Sequence, residues 1–267
     1  MLPAGSNEAL TAANNARELA EFDYDDGYNN FDVRHTFNLS LLYPIPYGRG
    51  RAYGQNASAF TQAVLGGWDI GGIVNGRSGL PVDVRIVRPD IVYRDPAGNI
   101  FANPAADRVA IINTPGGGNS RNVRRPNVVP GVSPFLDQDG VLFLNPAAFS
   151  TPAPGTFGDL ERNSIHGPGF RQVDFYFAKH FPTGGRTDLE FRGEVFNLFD
   201  RVNFSNPVGT LPQAIPTAAL SEANRLQPGE PYTAAAGGTF GRLTSTVGRT
   251  VGLGTPRQIQ FAVRFSF

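Results

Sequence analysis

The chain contains no cysteine. That excludes disulfides, thiolate zinc sites and a cysteine nucleophile. Charged residues are only 17% of the 267, with Lys plus Arg balancing Asp plus Glu at 23 each. No basic tract exists beyond Arg121–Arg125, so there is no electrostatic footprint for nucleic acid. No run of eighteen apolar residues occurs, which excludes a transmembrane helix. The three histidines, His35, His166 and His180, show no i, i+4 pairing, so a zinc site or a catalytic triad lacks nameable partners. Gly48-Arg-Gly50 and Gly116-Gly-Gly118 are not followed by a lysine-bearing helix, which argues against a phosphate cradle. The sequence therefore reads as non-enzymatic, with no cofactor and no metal. One acidic stretch, Asp23–Asp32, has the oxygen density of a calcium loop. Its spacing misses the EF-hand template, and a solvated polar loop is the preferred reading.

What is abundant points to strands. Gly (32) and Pro (22) form about a fifth of the chain, well above average usage. Phe is high at 21. Aromatic-rich segments between Gly/Pro-rich loops imply an all-β architecture. The clearest segment is the last, Arg257–Phe267. Ile259, Phe261, Val263, Phe265 and Phe267 share one face, while Gln258, Gln260, Ala262, Arg264 and Ser266 share the other. Eleven residues suit a tilted strand crossing a bilayer. A terminal Phe suits an interfacial aromatic girdle. The last strand of a soluble sandwich would show the same alternation.

Four further strands are expected near 31–43, 65–78, 170–181 and 187–199. The second is expected to continue through Pro81–Val87 with a bend at Gly79-Leu80-Pro81. Helical periodicity is confined to Glu8–Ala20 and Ala57–Val64. Connection lengths are uneven: Pro182–Arg186 is a tight turn, whereas 88–169 and 201–256 are long Gly/Pro/Asn-rich loops. Such asymmetry is usual in outer-membrane barrels and rare in soluble domains. The fold expected is all-β: an antiparallel transmembrane β-barrel fragment, an open sheet of about five strands with long extracellular loops. Residues 1–30 are expected to be a loop or partial helix leading into the strands of 31–267.

Placing the terminal strand downward collects Tyr43, Trp68, Phe181 and Phe267, with Tyr47, into one periplasmic girdle. Lys179, on the lipid face, is then expected to snorkel to the interface. Asp174, Tyr176, Arg192, Glu194 and Arg264 are the lumen-facing candidates. Arg192 and Glu194 read either as part of a substrate path or as a polar network holding the wall; the second is favoured. The tract Asn119–Asn127 is expected to be a mobile loop. Met1–Ser6 does not look like a signal peptide, so the chain is expected to be a fragment.

Several landmarks resemble the carboxy-terminal part of TonB-dependent outer-membrane receptors, in particular the large Oar-like receptors of acidobacteria. They are Phe31-Asp-Val-Arg-His-Thr-Phe-Asn-Leu-Ser40 with Tyr43-Pro-Ile-Pro46, Leu65-Gly-Gly-Trp-Asp-Ile-Gly-Gly-Ile73 and Arg77-Ser-Gly-Leu-Pro81. Further along come Asn145-Pro-Ala-Ala-Phe149, Gly155-Thr-Phe-Gly158, Gly167-Pro-Gly169 with Val173-Asp174, then Phe191–Asp200 and the terminal strand. The resemblance implies a 22-stranded barrel with an amino-terminal plug, driven by TonB to take up a ligand across the outer membrane. It implies as partners the amino-terminal barrel and plug that this chain does not carry, membrane lipid, TonB indirectly and an unknown ligand. It also implies that Phe261, Val263, Phe265 and Phe267 act as the signal read by the barrel-assembly machinery. An independent small or oligomeric outer-membrane pore, and a soluble β-rich binding or adhesion module, remain the alternatives.

Overall fold

The period-two segments become one sheet. A computed structural model describes residues 26–113, 124–136, 140–184, 187–248 and 256–267. Five strands pair in chain order: β1 (Thr36–Pro44), β2 (Trp68–Arg77), β3 (Phe170–Gly184), β4 (Thr187–Phe196) and β5 (Gln258–Ser266). Every neighbouring pair is antiparallel. The sheet is open, with β1 and β5 as its edges. The long connection precedes the first residue of β3, and the tight turn follows its last.

Register aligns the apolar residues in rows. Leu41, Gly72, Phe175, Val195 and Ile259 form one row, and Tyr43, Ile70, Phe177, Gly193 and Phe261 the next. Lys179, Phe191 and Val263 follow, then Phe181, Leu189 and Phe265. A one-residue slip would move every one of these side chains to the other face. Two glycines let aromatics lie flat across the sheet. A Cβ on Gly193 would stand 2.3 Å from Phe177, and one on Gly71 would stand 2.3 Å from Tyr176 on the opposite face. Such aromatic cover restores packing where a glycine leaves a gap.

Strand ends differ from the sequence reading in places. β1 starts at Thr36 rather than near Phe31, and β3 runs on to Gly184. β4 stops at Phe196 because Asn197 adopts φ 50°, a left-handed conformation that Asn tolerates better than most residues. Its side chain closes the turn, accepting from Arg201 N at 3.0 Å and donating to Arg201 O at 3.0 Å. The short helix is present as α1 (Ala59–Leu65), capped by Ser58, whose side chain accepts from Thr61 N. The expected helix Glu8–Ala20 lies outside the described residues.

The described residues form two compact units: the sheet unit takes those within 33–78, 168–204 and 246–267, and the second unit those within 26–32, 79–167 and 205–245. In the second unit the described parts of the two long connections fold together. Val82, Val84, Ile86, Leu144, Phe149, Leu211, Tyr232 and Phe240 form its core. Phe149 and Phe240 meet edge-on at 5.4 Å. Arg88 is buried and donates to the carbonyls of Asn113, Ala153 and Thr156 at 2.7–2.8 Å. Pro81–Val87 therefore does not extend β2. Its alternation is real, but Arg85–Ile86 pairs in parallel with Thr210–Leu211 and points its apolar side into this core. Within the tract read as mobile, Arg125 is buried and Arg124 O accepts from Ile86 N.

Candidate functional site

The candidate site is the two faces of the five-stranded sheet. On the apolar face α1 overlies only the end of the band around Lys179, and none of Phe37, Leu39, Ile70, Val74, Phe175, Phe177, Leu189, Phe191, Phe261 and Val263 is buried. Phe261 is 65% exposed and Val263 69%. A soluble core would bury such residues, and a contiguous patch of this size marks an interaction surface. Aromatic contacts cross four strands diagonally: Trp68 to Phe177 at 6.0 Å, Phe177 to Phe191 at 6.5 Å and Phe191 stacked on Phe261 at 5.8 Å. Each such pair contributes about 0.5–1.5 kcal/mol beyond burial. Tyr43, Trp68, Phe181 and Phe267 all lie at the strand ends nearest the β3–β4 turn. Phe265 and Phe267 contact each other at 6.1 Å.

Lys179 departs from its expected role. It is 3% exposed and does not reach out to water. Its ammonium donates to Gly66 O and, at 3.4 Å, to Gln62 O, the carbonyls that end α1. It also lies 5.0 Å from the Phe181 ring and 5.5 Å from that of Trp68. A cation at helix-terminal carbonyls is favourable. Sequence periodicity contains no information about where α1 packs, so this contact was not legible.

On the opposite face the five lumen candidates share one side of the sheet. Glu194 connects to Arg192 at 2.5 Å and to Gln260 Nε2 at 2.5 Å. The Arg192 guanidinium lies 5.1 Å from the Tyr176 ring. Asp174 accepts from Gln172 Nε2 and from Asn197 N, both at 2.8 Å. Arg264 stands opposite Glu190 in the β4–β5 register. These are mostly contacts within the wall.

Sequence reasoning missed a second cluster near the turn. His180 Nδ1 is 3.0 Å from Asp188 Oδ2, and its Nε2 is 3.3 Å from Asp69 Oδ2. Arg51 donates to Asp69 Oδ1 at 2.8 Å. The three partners come from β2, β4 and the β1–β2 connection, so only the cross-strand register could have assembled them. His166, in the second unit, meets Tyr28 edge-on at 5.4 Å. Among the described residues no group of three His, Asp or Glu could hold a metal ion, and Asp23–Asp25 of the acidic stretch lie outside them. No helix among the described residues is long and apolar enough to cross a membrane.

An antiparallel sheet with one exposed apolar face, one polar face and aromatics at its end defines a wall of the β-barrel membrane class. The chain matches the family model described as outer membrane beta barrel domain over residues 3–260, and it belongs to that family. Its location is the outer membrane. Neither the curated proteins nor the solved structures contain a match.

Proposed function

We propose that this chain forms part of the wall of a TonB-dependent receptor that takes up a ligand across the outer membrane without catalysis. The observation that carries the reading is the open five-stranded sheet. Backbone groups left unpaired in hydrocarbon cost several kcal/mol each, so the edges of β1 and β5 need partners. The smallest membrane barrels have about eight strands, so the five strands among the described residues fall short of a closed wall. The ordered landmarks described above favour a large receptor as the source of the missing strands, with a plug and TonB as further partners. In this reading Phe267 and its alternating neighbours are the recognition signal for barrel assembly.

The same open edges favour a second reading, in which several copies pair β1 to β5 and close a shared pore. The absence of cysteine allows a direct test. Leu41→Cys on β1 and Phe261→Cys on β5 are combined in one chain, exported to the outer membrane and oxidised. Receptor wall predicts no crosslink between copies; a ladder of crosslinked oligomers supports the shared pore. Heat-modifiable, protease-resistant monomers of the chain alone would refute both.

A further inference from the structure

We propose that α1 is a membrane-interface anchor: it lies in the phospholipid headgroup layer on the side of the β3–β4 turn, with Phe60, Val64 and Leu65 immersed in lipid. This rests on the outer-membrane wall and not on TonB coupling. Phe60 is 79% exposed, Val64 47% and Leu65 54%. Single exposed apolar residues are ordinary, but three on a seven-residue helix beside an apolar sheet face are a patch. A helix this short is marginal alone. It is held in place by Trp68 Nε1, which donates to Val64 O at 2.8 Å, and by the Lys179 ammonium at its last carbonyls. The helix is thus fastened to β2 and β3 with its apolar residues still outward.

The occupant follows from two features. A cleft of about 520 Å³ separates α1 from the sheet, and its lining runs from Val64 and Trp68 to Leu189, Phe191 and Val263. The last three belong to the apolar band, so the cleft is continuous with the lipid-facing surface and suits an acyl chain. The β1–β2 connection, residues 45–67, carries Arg49 and Arg51 and no acidic residue. Arg51 is paired with Asp69, so Arg49 is the cation on this connection that matches a phospholipid phosphate.

Single cysteines at Phe60 and, as a lipid reference, Phe261 are labelled with an environment-sensitive fluorophore in the full chain. The protein is reconstituted at a high protein-to-lipid ratio in phosphatidylethanolamine–phosphatidylglycerol vesicles carrying nitroxide lipids, where the open edges of neighbouring copies pair, and iodide is the aqueous quencher. The label at 60 is expected to lose about half its emission to a nitroxide roughly 5–10 Å below the headgroups, and to be shielded from iodide. The label at 261 responds to a mid-chain nitroxide. Iodide quenching at 60 with lipid quenching at 261 overturns the anchor while leaving the wall intact. Lipid quenching at neither position overturns the anchor and the membrane placement together. Val64→Cys repeats the measurement where the variant at 60 fails to fold.

Discussion

Two adjacent residues on β5 should respond very unequally to one substitution. Phe261 faces the apolar side, is 65% exposed and stacks on Phe191 at 5.8 Å. Replacing it with Arg removes that stack, about 0.5–1.5 kcal/mol, and places a charge against hydrocarbon, about 2–4 kcal/mol near the midplane. Phe261→Arg should therefore destabilise the inserted protein by roughly 3–5 kcal/mol. Gln260 is its neighbour on the polar face, 2.5 Å from Glu194 Oε2. Arg at that position meets a carboxylate, and its effect should stay within about 0.5 kcal/mol. The chain has a single tryptophan, Trp68, at the end of the same apolar face. Its emission during denaturant titration in lipid vesicles reads both variants. Equal destabilisation by the two substitutions, or a larger loss at Gln260, would refute the assignment of faces.

Phe149, fully buried against Phe240, carries the second unit's core. Phe149→Ala should cost about 3–5 kcal/mol and release protease cleavage within 79–167, while leaving the sheet's strand signal in circular dichroism. Tyr232 gives a pH test of the same unit. Burial raises its phenol above its ordinary value, with the Thr151 hydrogen bond opposing. Below about pH 10 the phenol is protonated in both folded and unfolded chains, and its contribution is fully present. As pH rises past that value the unfolded chain releases its proton first, so stability falls until the folded phenol ionises too. Alkaline unfolding should show this slope, and Tyr232→Phe should flatten it while losing the hydrogen bond to Pro212 O.

All five sheet strands were readable from sequence because period two is a local property, and each strand keeps one largely apolar side, interrupted on β3 by Lys179. α1 was readable for the same reason at period 3.6. The second unit was not. Its core draws Leu144, Phe149, Tyr232 and Phe240 from segments too short or irregular to show a period. Val82, Val84 and Ile86 did alternate, but alternation names a face and not a partner, so they were assigned to β2. At the site, the lumen candidates share a face as the pattern implies. The His180 cluster and the burial of Lys179 depend on register and on helix placement, which no single segment encodes.

The packed second unit also bears on the thermodynamics of recognition. A disordered loop that closes on a ligand loses about 0.5–1.5 kcal/mol for each rotamer-rich side chain it immobilises. Here Arg88 and the core around Phe149 have already fixed much of the chain between the strands. A molecule that engages this unit meets a surface ordered in advance, so more of its contact energy remains as affinity. Binding to it should show a small entropic penalty and a modest heat-capacity change rather than the signature of coupled folding.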